Sequence, residues 1–224
     1  MALILNIETA TKVCSIAIGK DGKILGFTDI NEADFSHAEK LNLSIIDLLA
    51  KHKLKLKDFN AIAISEGPGS YTGLRIGTST AKGICYGLDI PLISINTLAS
   101  LANLAKITEG IKIPMIDARR MEVFTADFDN KNVQISKNTN LIIEKNTFDK
   151  YKQTIHLFGN GSDKLVTQFS DNKNIKFISN IECSARGMVT IAEKKFNSND
   201  FVDVAYFEPN YGKEFYTNVV IKKK

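Results

Sequence analysis

Residues 3–30, LILNIETATKVCSIAIGKDGKILGFTDI, decide how the chain folds. Leu3 to Ile7 is an apolar run that closes on Glu8-Thr9-Ala10-Thr11. Val13 to Ile18 follows, then Asp21-Gly22, a dipeptide suited to the left-handed backbone of a tight hairpin turn. Ile24 to Ile30 completes three short strands joined by short turns, which reads as an antiparallel meander.

The hydrophobic period then lengthens. Ser36 with Glu39 three residues on is a capping box, and Leu41, Ile45, Leu48, Leu49 and His52 recur at helical spacing. Asn60 to Ser65 is a buried strand, Thr72 to Gly87 a second helix, and Pro91 to Ile95 a further strand. The order β-β-β-α-β-α-β predicts an α/β fold with a mixed sheet of the ribonuclease-H-like kind, the unit that actin-like (ASKHA) proteins carry in tandem. Strands are expected at 112–117 and 122–129 around a turn at Arg119-Arg120, and at Ile155 to Phe158. Helices are expected at 162–169 and 184–196, and loop at 129–153. This half reads as a second, degraded copy, dividing the chain into subdomains 1–100 and 101–224. The tail from Tyr206 to Tyr216 reads as extended and packed by aromatics.

Composition bounds the function. The 224 residues are 44% hydrophobic and 24% charged, which is ordinary for a globular chain. No run reaches the ~18 apolar residues of a membrane span, and Glu8 with no basic residue before it argues against a signal peptide. Lys and Arg number 29 against 25 Asp and Glu, a net +4. Seven of these cations sit in two patches, Lys51, Lys53, Lys55 and Lys57, and the terminal Lys222, Lys223 and Lys224. Without them the balance is 22 against 25. The patches read as solvated lysines rather than the broad basic face of a nucleic-acid reader. Cys14, Cys85 and Cys183 are odd in number and far apart, which fits a reducing, cytoplasmic compartment.

Candidate chemistry is sparse. His37, His52 and His156 are isolated, so no metal-binding histidine pattern exists. His37, in the first turn of a helix, reads as a capping, solvent-facing residue. There is no nucleophile elbow, and Gly161-Ser162-Asp163 reads as a turn and helix cap. Glu8, Glu66 and Asp117 lie near strand ends and could hold two magnesium ions in a nuclease. Glu66-Gly-Pro-Gly-Ser-Tyr-Thr-Gly-Leu-Arg-Ile-Gly77 follows a strand and opens a helix, so its backbone amides could meet a phosphate. An actin-like ATPase or small-molecule kinase would use Glu8, Thr9, Gly67, Gly69 and Ser70 there. Glu8 could instead cap the loop after its strand.

The second helix carries Gly73, Gly77, Gly83 and Gly87, each costing about 1 kcal/mol against alanine. Gly73, Gly77 and Ala81 are four apart on one face. That face either packs closely on the chain's own sheet or meets another subunit. The subunit reading takes Leu41, Ile45, Gly73, Leu74, Ile76, Gly77, Thr80 and Ala81 as interface, and on it Gly77→Leu abolishes pairing while the monomer stays folded.

Gly-Pro-Gly-Ser-Tyr-Thr-Gly-Leu-Arg-Ile-Gly at 67–77 closely resembles the signature of the TsaB (YeaZ) family. Ile7-Glu8-Thr9-Ala10, Ser36-His37-Ala38-Glu39, Ser94-Ile95-Asn96-Thr97-Leu98, Ile116-Asp117-Ala118-Arg119 and the tail Glu208-Pro209-Asn210-Tyr211 support it. The resemblance implies a tandem actin-like fold and a subunit of the machinery that places threonylcarbamoyl on N6 of adenosine 37 in tRNAs reading ANN codons. It implies a paralogue of the catalytic subunit TsaD, whose metal-holding HxxxH positions correspond to Thr97 and Leu101 here. No catalytic residue and no metal are then expected. The implied partners are TsaD in a heterodimer, the ATPase TsaE, and a second copy when alone, with tRNA met only indirectly. No cofactor of its own is implied, although ATP could sit at the subunit interface. Members commonly carry Asp where this chain has Glu8.

Overall fold

The computed structural model describes residues 2–31 and 37–213. The expected helix start at Ser36, and so its capping box, lies outside the described residues, as does the tail beyond Lys213.

The meander forms as its turns require. β1 (Leu3–Glu8), β2 (Val13–Lys20) and β3 (Lys23–Asn31) pair antiparallel, and β4 (Ala61–Gly67) and β5 (Leu92–Asn96) add in parallel. The sheet order is β3-β2-β1-β4-β5. A second sheet repeats it. β6 (Ile111–Asp117), β7 (Glu122–Thr125) and β8 (Thr139–Ile142) are antiparallel, and β9 (Ile155–Phe158) and β10 (Ile175–Ile178) add in parallel, in the order β10-β9-β6-β7-β8.

Strand alternation decides what each face of the first sheet takes. In β4, Ile62 and Ile64 face α1 (His37–Lys51) and α2 (Tyr71–Leu88), whose Leu41, Ile45, Leu48, Leu49 and Ala81 share their cluster. The alternate residues Ala61 and Ala63 face the opposite way. Their small side chains let α5 (Val189–Asn197) approach through Val189 and Ala192. On the second sheet, α3 (Thr97–Leu104) packs Leu98 and Leu101 against Ile116, Phe124 and Phe158.

The second copy is reduced where the first has its long helices. The 143–154 connection, which corresponds to α1, contains turns only, and the connection corresponding to α2 shrinks to a 3-10 turn and the four-residue α4 (Val166–Phe169). The helical stretch expected at 162–169 is present, as a 3-10 turn that runs into α4. The expected loop at 129–153 contains β8, and the expected helix at 184–196 begins as a 3-10 turn. A boundary at residue 100 falls inside α3, and residues 185–192 pack on the first sheet. The two sheets thus exchange helices across the chain.

Candidate functional site

The β1–β2 loop, the glycine-rich loop and the start of α2 meet where the sequence placed its nucleotide candidates. Glu8, Thr9, Gly67, Gly69 and Ser70 do come together, but around backbone of the chain itself. Glu8 is fully buried, and its Oε1 accepts from the amide of Ala10 at 2.7 Å. Thr9 N donates to Ser65 Oγ at 3.4 Å, and Ser70 N donates to Ala10 O at 2.6 Å. A Cβ on Gly69 would overlap Ala10 O, one on Gly73 would overlap Thr9 O, and one on Gly67 would overlap Asn210 O. The glycines of this loop make room for neighbouring carbonyls of the chain itself. Ser70 caps α2, its Oγ accepting from Gly73 N at 3.3 Å. Glu8 takes the loop-capping alternative. Burial outweighs the Ala10 amide and raises its carboxyl from 4.5 to about 7.

The nuclease carboxylates are not assembled. Among the described residues no group of three His, Cys, Asp or Glu side chains converges, and Asp117 is paired with Lys164. His37 is buried, with Nε2 at 2.7 Å from Thr11 O, and not exposed as expected from the sequence. Thr97, which opens α3, and Leu101, a turn further on, are both buried.

The interface residues need the larger correction. Leu41, Ile45, Gly73, Leu74, Gly77 and Ala81 all lie in the interior, and only Ile76 and Thr80 are part-exposed. The stripe Gly73-Gly77-Ala81 faces the chain's own first sheet: a Cβ on Gly77 would overlap Thr9 Oγ1 and stand 2.9 Å from Ile64 Cδ1. The reason is the phase of the helix. Leu74, Thr78 and Cys85 are buried along with these glycines, so this side of α2 covers the sheet.

The opposite side behaves differently. Among the described residues, no atom lies within 4 Å of where a Cβ on Gly83 or Gly87 would be. Tyr86 beside them is 86% exposed, and on the neighbouring α1 Leu43 and Ile46 are 62% and 61% exposed. Between the helices runs a groove of about 520 Å³, lined by Asn42, Leu56, Ser79, Thr80, Ile84 and Leu88 with both glycines. The sequence offers Gly83, Gly87, Leu43 and Ile46 on this side, whereas the 73-77-81 spacing points to the side that the sheet covers.

Comparison with known proteins places this architecture. The Escherichia coli (strain K12) tRNA threonylcarbamoyladenosine biosynthesis protein TsaB is 35% identical over 127 residues, which is 56% of this chain and 54% of that protein. The tRNA N6-adenosine threonylcarbamoyltransferase of Paracoccus denitrificans (strain Pd 1222) is 38% identical over 81 residues, 36% of this chain and 23% of that protein. The structure of YeaZ from Pseudomonas aeruginosa superposes with a TM-score of 0.78 at 22% identity, over 94% of this chain and all of that one. The chain spans about half the length of the curated TsaB relatives it first matches.

Two copies of one five-stranded topology, with a glycine-rich loop closed by the chain's own backbone, define an α/β chain of the tandem actin-like class. The family model described as "TsaD: tRNA N6-adenosine threonylcarbamoyltransferase" matches residues 31–214. The chain belongs to that family, and its curated relatives over about half of its length are named TsaB.

Proposed function

We propose that this chain is a non-catalytic scaffold subunit in tRNA threonylcarbamoyladenosine biosynthesis, pairing with a TsaD-type catalytic paralogue through the outer faces of α1 and α2. One observation carries the reading. Gly83 and Gly87 weaken a helix by about 1 kcal/mol each, and none of the described residues uses the space they leave. A second backbone brought close by the two glycines, with Leu43, Ile46 and Tyr86 covered at the same time, gives both features a purpose. Exposed apolar groups grouped on one face mark interaction surfaces more often than single ones do.

The partner's identity rests on the family. Curated relatives are named as tRNA threonylcarbamoyladenosine biosynthesis proteins and as the threonylcarbamoyltransferase itself. In this reading bond-making belongs to the partner. Thr97 and Leu101 offer no imidazole where the paralogue is expected to hold its metal, and Glu8 is spent on the Ala10 amide. TsaE joins the assembled pair, ATP binds there if at all, and in the absence of the paralogue the same face pairs two copies of this chain around a two-fold axis.

Reconstitution tests this. Threonylcarbamoyl transfer to tRNA is measured with the catalytic paralogue alone, with this chain alone, and with both. Transfer only when both are present supports the scaffold reading. Transfer by this chain alone, or by the paralogue at full rate without it, contradicts it.

A further inference from the structure

The β6–β7 turn carries Arg119 and Arg120 at φ 67° and 50°, two consecutive left-handed residues. Side chains other than Asn, Asp and Gly are crowded in that conformation, so an arginine pair is a costly choice for a turn. The turn is nevertheless held from two sides. Lys164 Nζ donates to Arg120 O at 2.8 Å and Glu122 O at 2.7 Å, and pairs with Asp117. Lys213 Nζ donates to Ala118 O at 3.1 Å and pairs with Glu122. Both nearby carboxylates are therefore occupied by lysines. Among the described residues neither arginine holds an ion pair, and both are exposed. A rigid turn thus presents two guanidinium groups to solvent at a cost in backbone conformation.

Lys213 also lines a groove of about 450 Å³ beside the turn. Phe124, Tyr211 and Pro68 supply its apolar surface, and Asn138, Asn140 and Asn210 supply amides. Beyond Tyr211 the pattern continues. Arg75 Nε donates to Tyr211 Oη at 3.1 Å, its guanidinium lies 4.2 Å from the Tyr71 ring centre, and the two tyrosine rings are 4.5 Å apart. Cations and aromatic faces alternate along one track, with amides that can meet base edges between them. This is the pattern by which proteins hold unpaired nucleotides: guanidinium on phosphate, ring on base.

We propose that the Arg119–Arg120 turn and the Phe124–Tyr211 groove form a contact site for a single-stranded RNA loop. The inference rests on the reading of the chain as a tRNA-modification subunit, and it replaces the indirect contact with tRNA expected from the sequence by a direct one. The basic surface that matters is then a short fixed turn, and the lysine-rich 51–57 stretch is not part of it.

Fluorescence anisotropy with a labelled anticodon stem-loop RNA tests the site, using the full chain alone and with its catalytic paralogue. The double variant Arg119→Asn with Arg120→Asn removes both charges while asparagine tolerates the left-handed backbone. The control Lys53→Asn with Lys55→Asn removes equal charge elsewhere. The turn variant should bind about tenfold more weakly, and its log–log salt slope should fall by about 1.4 for two lost phosphate contacts. The control should bind as the parent does. Equal loss in both variants, no loss in the turn variant, or displacement of the RNA by polyglutamate at matched charge overturns the proposal. Light scattering of the same samples separates the two ideas. If the parent chain does not pair with the paralogue, the scaffold reading fails; if the variants pair and RNA binding ignores the turn, only the RNA site fails.

Discussion

Gly77 sits directly over Thr9: a side chain at 77 would overlap the Thr9 hydroxyl, whereas a Cβ at Gly83, on the other side of the same helix, would meet no described residue within 4 Å. The two glycines therefore respond oppositely to substitution. Gly77→Ala overpacks the sheet contact and should destabilise the isolated chain by about 1–3 kcal/mol. Gly83→Ala gains helix propensity at an open position and should stabilise it by up to about 1 kcal/mol. Urea unfolding of both variants, read as a change in midpoint, checks this. It also reverses the expectation from sequence that Gly77→Leu leaves a folded monomer: that variant should fail to fold stably.

The buried Glu8 carboxyl makes stability depend on pH in a definite direction. Its pKa rises from 4.5 to about 7 because burial disfavours the charge. Below the unfolded value both states are protonated and no penalty exists. As pH rises through about 7 the folded chain must ionise a desolvated group, and stability falls by about 3 kcal/mol in total. Glu8→Gln keeps an acceptor for the Ala10 amide without the charge. The variant should be more stable than the parent at pH 8, with the gap closing towards pH 5. Chemical denaturation at the two pH values measures it; an equal difference at both would show that ionisation is not the cause.

Cys14, Cys85 and Cys183 are all buried and unpaired. Burial pushes the Cys14 thiol up to about 11 and that of Cys85 to about 12, and holds the Cys183 thiol well above its ordinary value. At pH 8 only about one Cys14 thiol in a thousand is ionised, before access is counted. A thiol reagent should label the native chain slowly and all three cysteines once urea is added. Rapid labelling of one site without urea would place that cysteine at the surface.

Much of the fold was legible because strand alternation and turn residues are local signals. The meander at 3–30, the Asn60–Ser65 strand and the helices at 36–52 and 72–87 all follow from such patterns, with the residues before His37 outside the described structure. The short elements of the second half were not. β8 and β10 have four residues each, and their exposed or mixed burial leaves no clear period to read. The site was half legible. The glycines of α2 announced close packing, but a helical wheel has two sides, and only the position of Thr9 shows which one the sheet takes. Likewise the glycine-rich loop gave its place before α2, while the carbonyls of Ala10 and Asn210 that fill it come from elsewhere in the chain.

The clamp on the β6–β7 turn should be measurable apart from any ligand. Lys164→Met removes the donor to Arg120 O and Glu122 O and frees Asp117. With Lys164 partly exposed, the loss should be about 1–2 kcal/mol. Amide hydrogen exchange should speed up at residues 118–122 first; exchange unchanged there would mean that the turn is held by its own backbone.

The central claim is that the outer face of α1 and α2 is a subunit interface, and light scattering after size exclusion tests it most directly. The parent chain and the variant Leu43→Asp with Ile46→Asp are each mixed with the TsaD of the same organism. Both side chains are exposed, so the variant should fold as the parent does. The account expects a stable 1:1 complex with the parent and separate peaks with the variant. A variant that pairs as well as the parent, or a parent that never pairs, would contradict it.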